Sequence, residues 1–405
     1  MEERLRTEMK RIIKINVYTI IGILIYIITF FNTDMFNYNI LKYICMIVVG
    51  LFLVSKSNLS VLKKHVKLNS AIVLFLGIVF ATSFSAKGLT YRNSFFASLV
   101  FGAVLIELVT YLEIMIEKKL MELCLTNWYH CAVVITIITD VLLLVLGQVN
   151  GVYFVGTKFS VVYQHLFLMV LFLIVNTDKL NRRYLLSSYI VKSKCLIILV
   201  LTIIISLSVD CATGLIGTIL LFCFCIVFNK IKYVFSNPII FIFVILMAYG
   251  TMWIMDILLL NKGIAQFVTT FLNRELTLTG RTIIFSGIPK IMRNHWLMGF
   301  GYGSSYEICI KNIAYADTQN GLMEWILQVG IIGTSVLLLV LYLCMKKYYN
   351  LIRTKDRQFN NCLWIVALVY VYIILGIVEI TYSMQFIGLL LVLYSMSEEK
   401  TKYVI

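Results

Sequence analysis

Long apolar stretches recur along the whole chain of 405 residues, and they constrain its fold more than any other feature. Each is about 17 to 22 residues long, which is the length that a helix needs to cross a bilayer, whereas barrel strands are about 10 residues long and alternate in polarity. Only 14% of the residues are charged, against about 25% in soluble domains. The sequence therefore predicts an all-α, polytopic integral membrane protein.

Twelve segments are predicted to span the membrane, although the seventh and eighth are separated only by Asp210–Gly214 and can also be read as one broken helix. Eleven or thirteen spans are therefore the alternatives. The arrangement predicts an N-terminal bundle at 1–260 with about nine spans, one large loop at 261–319 and about three spans at 320–405. The predicted spans are about 12–31, 38–54, 68–85, 94–112, 128–148, 159–176, 195–209, 214–228, 238–260, 320–344, 362–380 and 383–396.

Basic residues alternate between rich and poor connecting segments. Of the 35 Lys and Arg residues, 25 fall in the set of segments that includes both chain ends, and 10 fall in the other set, which includes the large loop. Because cytoplasmic loops carry the excess of Lys and Arg, this pattern predicts cytoplasmic termini and an external loop. The net charge of +15 is thereby attributed to topology, and no nucleic-acid partner is expected.

The ten cysteines include no Cys-x-x-Cys pair and no Cys/His spacing of the kind that binds metal. Most lie inside apolar stretches, where cysteine behaves as a small apolar side chain. A Gly-x-x-x-x-Gly-Lys phosphate loop is also missing from the sequence. We therefore predict no metal site and no other cofactor.

The large loop carries more cationic than acidic side chains, and Arg281 is its best anion-binding residue. Thr279, Gly280 and Thr282 flank it, so that the backbone can approach an anion and hydroxyl groups can donate to it. A guanidinium group binds phosphate oxygens in a bidentate manner and keeps its charge when buried. The alternative is an arginine that contacts lipid headgroups.

Further along the loop, Gly299, Gly301 and Gly303 alternate with aromatic residues. We predict that this segment contributes to substrate binding. The alternative is a tight turn that re-enters the membrane, with Trp296 and Tyr302 as interfacial anchors.

Several polar residues of the loop and the following span are candidates for proton transfer. Glu324 lies four residues after Asn320, so both occupy one face of the tenth span, and Asn320 and the adjacent Gln319 are candidate substrate-binding residues. A desolvated Glu324 can accept a proton from a sugar hydroxyl, and pairing with an external arginine is the alternative. His295 and Asp317 are further candidates for acid or base, although a loop histidine is usually solvated.

Polar residues also occur outside the large loop. Gln164 and His165 lie within the sixth span, and Asp210 and Thr213 lie in the short turn after the seventh. We include all four as candidate substrate-binding residues. For His165 the alternative is a hydrogen bond between helices.

The order of these loop motifs resembles the O-antigen ligase/polymerase superfamily, polytopic enzymes of bacterial surface-polysaccharide assembly with a large external loop late in the chain. The resemblance rests on Thr279-Gly280-Arg281, on Trp296 followed by alternating glycines, and on an Asn-Gly pair that enters a span carrying Gly-x-x-Gly. The motifs cover about 209–343, and the hydrophobic layout agrees throughout. It implies a GT-C-like, metal-independent glycosyltransferase that uses an undecaprenyl-pyrophosphate-linked glycan, with Arg281 on the donor pyrophosphate.

Two positions depart from the family pattern. Ligases typically carry a histidine, thought to activate the acceptor, where this chain has Gln319, and glutamine cannot act as a base. The family turn that matches Asp210–Gly214 often carries an arginine, whereas Cys211 and Ala212 stand here, so a second phosphate contact must come from elsewhere. The arginines considered for that contact are Arg92, Arg274 and Arg293.

The resemblance and the glutamine together favour a Wzy-type polymerase that joins lipid-linked repeat units into capsule or exopolysaccharide in the bacterial cytoplasmic membrane. Its expected partners are the lipid-linked glycan donor and acceptor, membrane lipid, a chain-length-regulating co-polymerase and a flippase. The alternatives are a ligase that transfers finished polymer to another acceptor, and a transporter of the lipid-linked glycan.

Overall fold

The computed structural model describes residues 17–33, 38–56, 65–86, 89–90, 93–149, 151–180, 186–259, 261, 263, 266, 269–270, 281–354 and 360–401. Within these residues the secondary structure is helical, and no β-strand occurs apart from isolated bridges at 149–156. The all-α prediction is therefore confirmed. Seven of the helices are long and apolar enough to cross a membrane, as expected for a polytopic membrane protein.

Within the described residues, each of the twelve predicted apolar segments overlaps a helix of its own. The seven that meet the length and hydropathy of a span are α2–α7 and α12, while α1, α8, α9, α13 and α14 are apolar over shorter lengths. The total of twelve spans remains a prediction. The helices are α1 (Val17–Phe30), α2 (Tyr38–Lys56), α3 (Val66–Ser85), α4 (Ser94–Lys118), α5 (Met121–Leu146), α6 (Lys158–Leu180), α7 (Leu186–Ser208), α8 (Ala212–Phe235), α9 (Pro238–Leu259), α10 (Arg281–Met292), α11 (Ser305–Ile313), α12 (Gly321–Thr354), α13 (Asn360–Leu375) and α14 (Met384–Thr401).

Local capping chemistry sets several helix ends. The Asn93 side chain accepts a hydrogen bond from the Phe96 backbone N–H (3.0 Å) and caps α4. A left-handed Lys119 ends the same helix. Asp210, also left-handed with φ 49°, separates α7 from α8, so the seventh and eighth segments form two helices.

Burial divides the helices into an inner and an outer group. The α13 residues from Val366 to Val371 are almost fully buried, and α6 packs against α5, α7 and α13. By contrast, α2, α5 and α7 expose most of their large apolar side chains, such as Leu51, Leu144 and Leu207. Lipid chains are as apolar as leucine, so a bilayer would cover these outer faces without a solvation penalty.

Connecting segments from distant parts of the chain meet at one end of the bundle. The Thr90 backbone N–H donates to the Glu307 carboxylate (2.9 Å), and the Lys158 ammonium donates to the Asp210 carbonyl (2.9 Å). The Phe31 and Phe154 rings lie 5.5 Å apart. These segments belong to the basic-poor set, so the grouping agrees with the one that the charge pattern predicts.

Polar contacts at the opposite end involve the basic-rich set. The His65 Nδ1 atom lies 3.0 Å from the Tyr394 hydroxyl oxygen, and Lys347 forms an ion pair with Glu398. We call the first end the loop end and the second the basic end.

Candidate functional site

Helix α12 is broken at Gly330, and the glycine-rich loop segment fills the break. The Phe300 N–H donates to the Leu327 carbonyl (2.9 Å), and the Ile331 N–H donates to the Trp296 carbonyl (2.7 Å). Two further bonds join Gly301 N–H to the Gln328 carbonyl (2.8 Å) and Ile332 N–H to the Leu297 carbonyl (3.3 Å). The loop thus satisfies backbone groups that the break leaves without helical partners.

This docking explains the alternating glycines. Gly299, Gly301 and Gly303 all have positive φ values, which a residue without a Cβ adopts readily. A Cβ at Gly299 would lie 2.6 Å from the Gln328 backbone, and one at Gly301 would lie 2.5 Å from Ser94 Oγ. Positive φ values and close backbone packing therefore explain why glycine occupies these positions. That the segment contacts a substrate stays a prediction.

A cavity of about 480 Å³ opens at the loop end. The ends of α1, α2, α4, α6 and α14 surround it, together with the segment at 155–160 and parts of the large loop. Its wall combines apolar side chains with a set of polar ones that includes Lys42, Tyr163, Gln164, Asp317, Glu379 and Gln385. Its size falls within the range of pockets that hold small molecules.

Arg281 lies directly behind this wall and binds the turn that follows α13. Its Nη2 atom is 2.7 Å from the Glu379 Oε1 atom, and its Nε atom donates to the Val378 carbonyl (3.1 Å). The side chains of Arg281 and Glu379 are only 15% and 10% exposed. An ion pair with so little water around it is held firmly, because little solvent screens the two charges.

Glu379 and Asp317 are the carboxylates that line the cavity within the described part of the chain. Burial raises the pKa of Glu379 to about 7, although the adjacent Arg281 guanidinium lowers it. Burial also raises the pKa of Asp317, against the opposing effects of a hydrogen bond from the Gln319 N–H and of Arg281. Repulsion from the Asp317 carboxylate also raises the pKa of Glu379.

Local backbone geometry presents Asp317 to the cavity. A left-handed Ala314 ends α11, and a left-handed Gln319 turns the chain into α12. The Gln319 N–H donates to Asp317 Oδ1 (2.9 Å), and Asn320 caps α12 by accepting from the Met323 N–H (3.0 Å). Gln319 and Asn320 therefore have clear roles in shaping this turn.

Glu324 points into the protein and does not belong to the cavity lining among the described residues. It is 6% exposed and accepts hydrogen bonds from the Thr318 hydroxyl (2.9 Å) and the Gln328 amide (2.6 Å). The side-chain Oε1 atom of Gln328 accepts in turn from the Gly303 N–H (2.8 Å). Glu324 therefore helps to hold the glycine segment through Gln328. Its predicted role as a base remains untested.

The remaining loop candidates lie at the surface. His295 is exposed and stacks on Phe300 with ring centroids 4.1 Å apart. Arg293 is exposed in the turn that follows α10. Neither lines the cavity within the described chain.

Of the candidates outside the loop, Gln164 lines the cavity and donates to the Tyr26 hydroxyl (3.1 Å). The neighbouring His165 is 2% exposed, and its Nε2 atom lies 2.9 Å from Asp140 Oδ1, which is the interhelical hydrogen bond considered as the alternative. Asp210 is 82% exposed beside Lys158. The Thr213 hydroxyl lies 3.9 Å from Cys211 Sγ.

Five predicted site residues fall wholly or partly outside the described residues. They are Arg92, Arg274, Thr279, Gly280 and the side chain of Thr282.

Sequence reasoning did not single out Lys42, Tyr163 or Glu379 as site residues, although all three line the cavity. The available signal was weak. Glu379 is an acidic residue at the end of an apolar stretch, where a charged side chain usually faces a cavity or a partner. Lys42 lies near the start of the second predicted span, at the end that the charge pattern places on the basic-poor side.

Comparison with known proteins adds no family assignment. No family model matches the chain, and no curated protein matches it significantly.

Proposed function

We propose that this protein is a membrane glycosyltransferase that polymerises undecaprenyl-pyrophosphate-linked oligosaccharide repeat units at the outer face of the bacterial cytoplasmic membrane. The observation that carries the proposal is the loop-end cavity, with Asp317 and Glu379 in its wall and Arg281 bound to Glu379. A cavity with a carboxylate beside a guanidinium offers both groups that transfer from a pyrophosphate requires: a base for the acceptor and a cation for the leaving group.

In the proposed reaction, a hydroxyl group of the acceptor sugar attacks the anomeric carbon of the donor. The Asp317 carboxylate accepts the hydroxyl proton as the new glycosidic bond forms. The bond between the anomeric carbon and the pyrophosphate oxygen breaks, and the lipid pyrophosphate leaves with the bonding electrons. Arg281 neutralises the charge that develops on that oxygen.

Arg281 can take this role because it is adjacent to the cavity wall through Glu379. A pyrophosphate that enters beside Glu379 would compete with this carboxylate for the guanidinium group, which can bind two oxygens at once. Glu379 would then orient Arg281 before the substrate arrives. Such preorganisation avoids rearrangement of the cation during bond breaking.

Cavity lining favours Asp317 over the other proposed bases. Asp317 faces the cavity, whereas Glu324 is enclosed by Thr318 and Gln328 and His295 lies on the loop surface. A general base must come within hydrogen-bond reach of the proton that it removes. We therefore place the base at Asp317.

The external location follows from the charge pattern and is part of the proposal. Connecting segments poor in Lys and Arg meet at the loop end, and such segments lie outside the cytoplasm by the positive-inside rule. This orientation would place the cavity where a flippase delivers lipid-linked repeat units and where a chain-length-regulating co-polymerase would act.

The decisive experiment is reconstitution of the purified protein with its lipid-pyrophosphate-linked repeat unit. We expect a ladder of products on a gel, each one repeat longer than the last, with release of undecaprenyl pyrophosphate. A folded protein that gives no ladder with this substrate contradicts the polymerase proposal. Adding a second acceptor would then test for ligase activity.

A transporter of the same lipid is the second candidate, and one observation favours it. Glu107 is 9% exposed within α4, and ionisable side chains inside membrane helices often mark transport pathways. Leaflet exchange of a fluorescent lipid-linked glycan in vesicles would separate the two functions. Exchange without ladder formation supports the transporter.

Removing the proposed base is expected to slow transfer strongly. Asp317→Asn keeps the shape of the side chain but cannot accept the proton, so the turnover rate should fall about 10²-fold to 10⁴-fold. Single-turnover rates with saturating lipid measure this effect. As a control, Glu122→Gln removes an exposed carboxylate at the start of α5 and should leave the rate unchanged. A near-normal rate for Asp317→Asn would move the base elsewhere.

The activity is expected to rise with pH around neutrality. Because the pKa of Glu379 is about 7, this carboxylate loses its charge, and with it the ion pair that orients Arg281, as the pH falls through 7. The rate at pH 6 should be about tenfold lower than at pH 8 for one such ionisation. Glu379→Gln should abolish this rise of the rate between pH 6 and pH 8, so that only the titration of Asp317 still affects the rate. An unchanged pH profile in Glu379→Gln would contradict the assignment.

Thermal stability should change in the opposite direction. The pKa of Glu379 is raised by folding from 4.5 to about 7, so between these values the folded state binds more protons than the unfolded state. Its contribution to stability is therefore largest at low pH and is lost as the pH rises through this window. The difference in Tm between wild type and Glu379→Gln should show this trend.

A further inference from the structure

The cavity lining contains two chemically different groups of residues. Asp317 of the large loop and Glu379 of the turn after α13 contribute carboxylates to the lining, while α4 contributes Ala97, Val100 and Val104 and α2 contributes Lys42. The three α4 residues follow a spacing of three and four, so they share one face of that helix. The α4 residues therefore form an apolar strip, and the neighbouring helix α2 adds one cationic group.

An aromatic contact lies immediately outside this apolar strip. Tyr43 follows Lys42 in α2 and Phe96 precedes Ala97 in α4, and the two rings meet edge to face with centroids 5.8 Å apart. The Phe96 side chain is 51% exposed. Much of the outer face of α2 is exposed as well, including Ile44 at 54%. Such an exposed apolar face suits a bilayer. The Tyr43–Phe96 pair thus stands between the cavity and the surface that lipid would cover.

We infer that a lipid with a pyrophosphate headgroup enters the cavity sideways from the bilayer, between α2 and α4. The Lys42 ammonium binds the phosphate, and the lipid chain lies along the strip of Ala97, Val100 and Val104 past the Tyr43–Phe96 pair. The inference rests on the proposed function in naming this lipid, and it adds the route and the residues that bind it.

Charge and shape both support this occupant. A lysine on a helix next to lipid is well placed for an anionic headgroup, because its ammonium group reaches the headgroup level while its stem packs on apolar groups. A free phosphate would use Lys42 but would leave the apolar strip uncovered. With the headgroup at Lys42, the sugar would extend into the same cavity toward Asp317 and Glu379.

Photo-crosslinking tests the route without requiring catalysis. Benzoylphenylalanine is placed at position 96 or, as a matched control, at Leu144, which is 81% exposed near the loop end of α5. We expect radiolabelled undecaprenyl pyrophosphate to label position 96 and unlabelled lipid to compete, whereas labelling at position 144 should be weak and resist competition. Equal labelling at both positions, or competition by inorganic pyrophosphate as effective as that by the lipid, overturns the inference.

Lys42 variants test the headgroup contact. Lys42→Gln should raise the lipid concentration for half-maximal labelling at position 96 about tenfold, because a hydrogen bond to a charged group is lost. Lys42→Arg should restore binding, which a merely structural role would not predict. An unchanged concentration in Lys42→Gln removes Lys42 from the site.

The two proposals fail in distinguishable ways. Labelling at position 96 that unlabelled lipid reduces, in a protein that forms no ladder, would support the lipid route and contradict polymerisation. A ladder of products without such labelling would support polymerisation and contradict the lipid route.

Discussion

An Arg281→Ala protein is expected to form no polymer from lipid-linked repeat units, with transfer reduced by at least about 10³-fold. The reason is that no other described cation occupies the same position beside Glu379 with a bidentate donor group. A pyrophosphate that leaves without a neutralising partner would carry its charge past the two carboxylates of the cavity wall. The ladder assay with equal amounts of detergent-purified proteins measures the loss.

A structural explanation for this loss has to be separated from a chemical one. Arg281→Ala leaves Glu379 buried without its cationic partner, and an unpaired buried charge is strongly destabilising. The double variant Arg281→Ala/Glu379→Gln removes that charge and should recover the Tm but not the activity. Recovered activity in the double variant would show that Arg281 serves only to pair with Glu379.

Two single variants complete the comparison. Arg281→Lys keeps the charge but loses the planar fork, so we expect partial activity at best. Arg353→Ala removes an exposed arginine at the end of α12, at the basic end, and should behave as wild type. Normal product lengths from a folded Arg281→Ala protein would reject the role proposed for this residue.

Gly330→Ala is expected to have the largest effect on folding. Gly330 has φ 68° and ψ −177°, a conformation that is essentially restricted to glycine. A Cβ there would lie 2.0 Å from the Leu297 carbonyl oxygen, so the loop and the broken helix would have to separate and lose their four backbone hydrogen bonds. We expect a loss of about 3 kcal/mol or more in stability, seen as aggregation or a lower Tm in detergent.

Two other glycines provide matched controls for this prediction. Gly77 in α3 and Gly250 in α9 are helical, and an added Cβ would meet no atom within 4 Å. Alanine has the higher helix propensity, by about 1 kcal/mol, so Gly77→Ala and Gly250→Ala should retain or raise the Tm. A Gly330→Ala protein as stable as these controls would mean that the break in α12 is not needed for folding.

Apolar stretches and their charged borders were enough to predict the helices. In the described part of the chain each predicted apolar segment overlaps a helix, because helix formation in a membrane depends mainly on a local run of apolar residues. The alternation of basic segments also grouped the connecting segments as the fold groups them, for example Thr90 with Glu307. These are properties of neighbouring residues, which a sequence displays directly.

The loop motifs were identified from the sequence, but their roles were not. The alternating glycines and the Gly-x-x-Gly of α12 proved to be two sides of one backbone contact, between Gly299 and Gly330. Asn320 forms a helix cap. A glycine motif looks the same in a sequence whether its partner is a ligand or another backbone segment.

Arg281 shows most clearly what was determined at each level. Its residue type and flanking sequence predicted an anion-binding group, and its partner Glu379 lies 98 residues away, beyond any local pattern. The cavity that joins Asp317, Glu379 and Lys42 arises only when helix ends and loops from across the chain pack together. The sequence alone determined the helices and the grouping of their ends, because hydrophobicity and charge act locally. Only the tertiary structure decided which polar side chains share one cavity, because that depends on packing between distant segments.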